Sequence, residues 1–150
     1  MMFIILDECP INAVYKLPYK ICFKQLIELG QLICSAGISN IYKKVPQGKA
    51  IQNWIIKNPT YTLRYYRTLL HVCTGCINMS KETEEKLQKI HIDMCKYEQT
   101  SRRRLLRPDT AVFRYAKNYK SIYPTNTELC IGNTIKAYEE YMEWKNYDKK

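Results

Sequence analysis

Apolar residues recur at helical spacing through most of this chain. Behind Pro18, which suits a first helical turn, Cys22, Phe23, Leu26, Ile27, Ile33 and Cys34 share one broad apolar face and predict a helix to about Ser35. Gly48 to Lys57 predicts a second, shorter helix. Asn58-Pro59 breaks it and starts a third that runs through about Cys73, and Ser80 is a suitable N-cap for a fourth reaching about Lys96. Asp109 to Lys120 and Thr134 to Trp144 predict two more. Phe3 to Leu6 is the one convincing strand candidate, and a single short strand does not make a sheet. The pattern therefore predicts an all-α protein, a compact single domain over residues 1–150 with about five or six helices. No internal repeat, low-complexity tract or long linker marks a domain boundary.

Charge adds a partner class to that outline. Lys and Arg total 24 against 14 Asp and Glu, a net charge of +10 in 150 residues, which creates a positive field that attracts polyanions. Nucleic acid is the first partner this implies, DNA ahead of RNA. An acidic membrane surface or an acidic protein is the alternative, and against the membrane stands the lack of a strongly amphipathic basic helix with an uninterrupted apolar face. No apolar run approaches the roughly 20 residues of a membrane span, and Met1 to Leu6 is stopped by Asp7 before it reaches signal-peptide length. The expectation is an intracellular protein of host cytoplasm or nucleus, or of a virion, and not a secreted one. Its 7 cysteines, an odd number in a chain large enough to fold without staples, point to reduced thiols rather than a disulfide framework. The bias toward Ile, Lys, Tyr and Asn is what an AT-rich coding sequence produces, and it suits a viral origin.

Basic residues are concentrated in a few places. Arg102, Arg103, Arg104 and Arg107 put four guanidinium groups into six residues, each able to contact a phosphate with two N–H donors. Arg64 and Arg67 fall on the same predicted helix as Tyr61, Tyr65 and Tyr66, while Arg114, Lys117 and Lys120 alternate with Phe113, Tyr115 and Tyr119. Cations interleaved with aromatics suit a surface that grips phosphates and stacks bases. The competing reading makes the tyrosines packing residues and the arginines a solvated rim.

A metal site competes for other residues. Cys73, Cys76, His91 and Cys95 form a C-x2-C-x14-H-x3-C arrangement whose spacing zinc would fit. Against it, the intervening residues lack the strand-like aromatic pattern of a finger hairpin, and the cysteines can equally be small apolar residues at the end of a packed helix. The expectation is no metal, with this zinc site as the alternative. His71 follows Leu69 and Leu70 and reads as a packing residue, and Trp54 and Trp144 read as core or interface anchors.

Lys20, Lys24 and Glu28 follow one another at four-residue intervals and so lie along one stripe of the first long helix. In order and spacing, Leu6-Asp7-Glu8-Cys9-Pro10 followed by Leu26-Ile27-Glu28-Leu29-Gly30-Gln31-Leu32-Ile33 resembles small phage proteins related to the pyrimidine-dimer DNA glycosylases of the T4 endonuclease V type. Lys49-Ala50-Ile51-Gln52-Asn53-Trp54 and Ala137 to Lys145 extend the resemblance along the chain. In that family an amine forms a Schiff base with the sugar of the damaged nucleotide and a helical carboxylate assists, a role the resemblance gives to Glu28. The family's Asp and His would fall at Tyr19 and Ile21, neither of which can serve as a general base near neutral pH, and its His-Pro pair before the tryptophan is absent. Such enzymes use a free α-amino group, and a chain beginning Met1-Met2 would normally keep its bulky first residue.

These observations leave three readings. The first is a DNA-binding protein of viral type, repair-like in descent and impaired in catalysis. The second is a working glycosylase and abasic-site lyase using an amine and Glu28. The third is a viral structural or host-interaction protein, with a protein partner or a second copy of the chain bound through the tyrosine-rich face.

Overall fold

The computed structural model describes residues 2–76, 78–101 and 131–144, and among them the protein is all-helical, with no strand. The elements are α1 (Pro10–Tyr15), α2 (Tyr19–Ser35), α3 (Lys49–Lys57), α4 (Pro59–Cys76), α5 (Lys81–Ser101) and α6 (Ile131–Trp144). The sequence-predicted helix over 109–120 lies outside the described residues.

Local signals explain most boundaries. Pro10 opens α1 at a position where its missing N–H costs nothing, and Ala13 closes the first turn onto the Cys9 carbonyl at 2.9 Å. This helix was not among those expected, because six residues carry too little periodicity to register. α2 ends in a turn that only glycine accepts without strain: Gly37 has φ +88, its N–H donates to the Cys34 carbonyl at 3.0 Å and the Ile38 N–H to the Ile33 carbonyl at 3.3 Å. Asn58 caps α3 by donating its side-chain amide to the Trp54 carbonyl at 2.9 Å, and Pro59 starts α4 at once. Ser80 is the N-cap of α5 as its position implied, its hydroxyl accepting the Thr83 N–H at 3.2 Å. Glu82 and Glu84 add negative charge to that helix's first turn.

α4 is the central element and packs against α1, α2, α3 and α5. Its inward side carries Tyr61, Tyr65, Tyr66, Leu69 and Cys73, all essentially inaccessible. α2 presents Leu26, Leu29, Leu32 and Ile33 to the same core, and α6 adds Tyr138 and Met142. Gly30 on α2 faces α5, where a Cβ would stand in ordinary contact with the side chains of Ile90 at 3.4 Å and Leu87 at 3.7 Å.

Candidate nucleic-acid interface

The segment before α1 is extended and buried rather than paired in a strand. Phe3, Ile4, Ile5 and Leu6 are all core residues, which corrects the strand expectation. Four successive apolar residues with no exposed alternate suit a threaded core segment, and the main-chain groups of such a segment must find partners among side chains. Gln25, buried on α2, accepts the Ile4 N–H at 2.9 Å and donates to the Met2 carbonyl at 3.0 Å. Tyr65 donates its hydroxyl to the Ile4 carbonyl at 2.6 Å and Tyr61 to the Asp7 carbonyl at 2.7 Å. Burial pushes both phenols far above their ordinary pKa, so they stay protonated donors. Phe3 sits among their rings, with the Tyr65 centroid at 4.7 Å and that of Trp54 at 5.6 Å, both edge-on.

This threading brings the start of the described chain to Glu28. The half-buried carboxylate accepts the Met2 N–H at 3.2 Å. Lys24 and Glu28, one turn apart, do not pair, because Glu28 turns to the main chain while Lys24 stays exposed. Lys20 is also exposed, so the stripe runs from two cations in solvent to a partly covered carboxylate. Of the two positions to which the resemblance would assign an Asp and a His, Tyr19 is exposed and Ile21 is buried.

Asp7 fixes the turn that leads from the buried segment into α1. Its carboxylate accepts the Cys9 N–H at 2.8 Å and pairs with the Lys16 ammonium at 2.7 Å. The hydrogen bond from Lys16, with that from Cys9, holds the carboxyl below its usual range, and the same contact raises Lys16. Beyond this turn two large aromatics face solvent, Tyr15 at 62% and Tyr19 at 56% exposure. Each is followed directly in sequence by a lysine, Lys16 and Lys20, at the α1–α2 junction.

The cation and aromatic pairing expected on α4 is corrected. Arg64 and Arg67 are exposed, but Tyr61, Tyr65 and Tyr66 point inward and cannot stack on a base. Helical spacing separates them: positions 61, 65 and 66 share one side and 64 and 67 another. Arg102, Arg103, Arg104, Arg107, Arg114, Lys117 and Lys120 lie outside the described residues.

Among the described residues of the alternative zinc site, Cys73 does not join His91 and Cys95. Cys73 is buried in the core and the side chain of Cys76 is outside the described residues. His91 and Cys95 do meet, with 3.6 Å between Nε2 and Sγ, but Arg67 intrudes, its Nε donating to Nε2 at 3.1 Å and its Nη2 to Sγ at 3.6 Å. Among the described residues no three His, Cys, Asp or Glu side chains gather as a metal-holding group. His71 is exposed rather than packed, and Trp54 is a core residue.

Neither a known family, a characterised protein nor a solved structure matches this chain. No helix among the described residues is long and apolar enough to cross a membrane.

Gln25 and Tyr15 were not singled out from the sequence, and Tyr19 was noted only as the position of a missing Asp. A signal for the first existed: Gln25 interrupts the apolar face made by Cys22, Leu26 and Leu29, and a polar residue there has to find a buried partner.

Proposed function

We propose that this chain binds nucleic acid, DNA in the first place, through the α1–α2 edge that carries Tyr15, Tyr19, Lys20 and Lys24. The observation that carries the reading is the exposure of two aromatics and two lysines between positions 15 and 24, in a chain of net charge +10. Lysines at helical spacing meet successive phosphates, and solvent-facing tyrosines offer planes on which unpaired bases stack. The Arg102 to Arg107 cluster supplies further phosphate contacts in this proposal.

The protein is a relative of the damage-specific glycosylases in this reading, impaired in chemistry because Tyr19 and Ile21 supply no general base. One observation favours a working lyase instead. The Glu28 carboxylate is turned to the start of the described chain, where it accepts the Met2 N–H at 3.2 Å, and this is where a carboxylate assisting a free terminal amine would stand. An amine of this kind has a pKa of about 8 and is partly unprotonated at neutral pH.

One experiment separates these readings: incubation with labelled intact and abasic duplexes, with and without borohydride, at two salt concentrations. Salt-sensitive binding without a covalent adduct is the expected result. An adduct on abasic DNA that disappears in Glu28→Gln would establish the lyase. No binding at either salt would overturn both and turn the search to protein partners.

A further inference from the structure

Away from that edge, α4 and α5 bring together a thiol, an imidazole and a guanidinium. Cys95 and His91 lie one turn apart on α5, and Arg67 reaches both from α4. Because Nε2 of His91 accepts from Arg67, the neutral ring carries its proton on Nδ1. Burial, with the Arg67 charge second, holds the imidazole below its ordinary pKa, so it is neutral at pH 7, and its one Nε2 lone pair, 3.6 Å from Sγ, takes the thiol proton when the Arg67 N–H turns from the ring to the sulfur. The Tyr66 ring lies nearly parallel to the imidazole, with centroids 6.4 Å apart.

The other described cysteines have no such surroundings. Cys22, Cys34 and Cys73 are buried, and half-buried Cys9 adjoins the carboxylate of Asp7, which bonds its main-chain N–H. Cys95 is half-buried, and its Arg67 neighbour is exposed. Partial exposure beside a cation and a histidine is the environment of reactive rather than structural thiols.

We propose that Cys95 is a modification site, a thiol that undergoes exchange with small anionic disulfides such as glutathione disulfide. Nε2 of His91 takes the Cys95 proton as Sγ attacks one sulfur of the disulfide. The Sγ–S bond forms, the original S–S bond breaks, and the second glutathione leaves as a thiolate that recovers the proton from His91. Cys95 is oxidised and the released glutathione reduced, so no further oxidant is needed. Arg67 offsets the negative charge spread over the three sulfurs and attracts the carboxylates of the incoming disulfide.

The test uses the full chain at pH 7, mixed with glutathione disulfide or with the cationic disulfide cystamine, and mapped by peptide mass spectrometry over time. The first glutathione adduct is expected on Cys95, and Cys95→Ser should remove that fast phase. Arg67→Met should slow glutathione disulfide by about tenfold and cystamine by less, while Arg67→Lys restores the preference for the anion. His91→Gln should slow both reagents. A first adduct on another cysteine, no adduct at all, or equal slowing of both reagents in Arg67→Met would overturn the assignment. The last result would make Arg67 a merely structural neighbour.

Discussion

Gln25 and Ile4 are joined by a buried hydrogen bond of 2.9 Å, from the main-chain N–H of one to the side-chain oxygen of the other, across 21 residues of sequence. The same amide donates to the Met2 carbonyl, so one side chain does for the threaded segment what a neighbouring strand does in a sheet.

Replacing that amide should therefore be costly. Gln25→Leu fills similar space but leaves the Ile4 N–H and the Met2 carbonyl without their partner, and should destabilise the protein by about 1–3 kcal/mol. The check is the midpoint of urea unfolding. An unchanged midpoint would mean that the clamp contributes nothing to stability.

The buried tyrosines predict an alkaline limit to stability. Tyr61, Tyr65 and Tyr66 all have pKa values raised above the ordinary 10.0 by burial. A raised value in the folded state means that the native protein keeps protons the unfolded chain releases. Stability is then fully present below pH 10 and falls as pH rises past it. Tyr65→Phe should lower stability at pH 7, through loss of the hydrogen bond to the Ile4 carbonyl, yet lose less of what remains between pH 10 and pH 11.5. Denaturant unfolding of both proteins across that range tests the sign. An equal decline in the two would remove Tyr65 from the account.

Two glycines should respond to alanine with opposite signs. Gly37 has φ +88, where a Cβ is strained, so Gly37→Ala should cost about 1 kcal/mol. Gly75 lies within α4 with nothing within 4 Å of an added Cβ, so Gly75→Ala should stabilise by up to about 1 kcal/mol. Thermal melts of the two variants decide it. Shifts in the same direction would refute the argument from backbone conformation.

For the proposed interface, Lys20→Ala and Lys24→Ala should each weaken DNA binding and lower the steepness of its salt dependence by about one unit in a double-logarithmic plot. Lys86→Ala is the control, since Lys86 pairs with Glu82 on α5 at 3.4 Å. Fluorescence anisotropy on a short duplex at several salt concentrations measures all three. A control as damaging as the α2 variants would make binding a matter of net charge rather than of this edge.

Helix positions were legible because their signals are local. A face repeated every three or four residues, an Asn58-Pro59 break and a Ser80 cap all act within one or two turns, and the structure places α2 to α5 close to where they imply. The ends of α4 and α5 run a few residues further than expected, since nothing in Thr74 to Cys76 or Tyr97 to Ser101 forbids another turn. The candidate site was legible only in its cations. Lys20 and Lys24 sit in solvent where the stripe puts them, but tyrosine suits either a core or a surface, and so Tyr61 and Tyr65 could not be told from Tyr15 and Tyr19 by type.

What the sequence by itself determined is the all-α class, the placement of the main helices and the apolar side of α2, because each follows from spacing along one element. Only the tertiary structure decided that Phe3 to Leu6 is threaded through the core, and that Glu28 holds main chain instead of Lys24. It also decided that Arg67 stands over Cys95. Those outcomes depend on polar groups from 21 to 61 residues apart finding each other once water is excluded, as with Gln25 and Tyr65 on Ile4. Four apolar residues in a row, or a lysine one turn from a glutamate, look the same in sequence whichever partner is finally met.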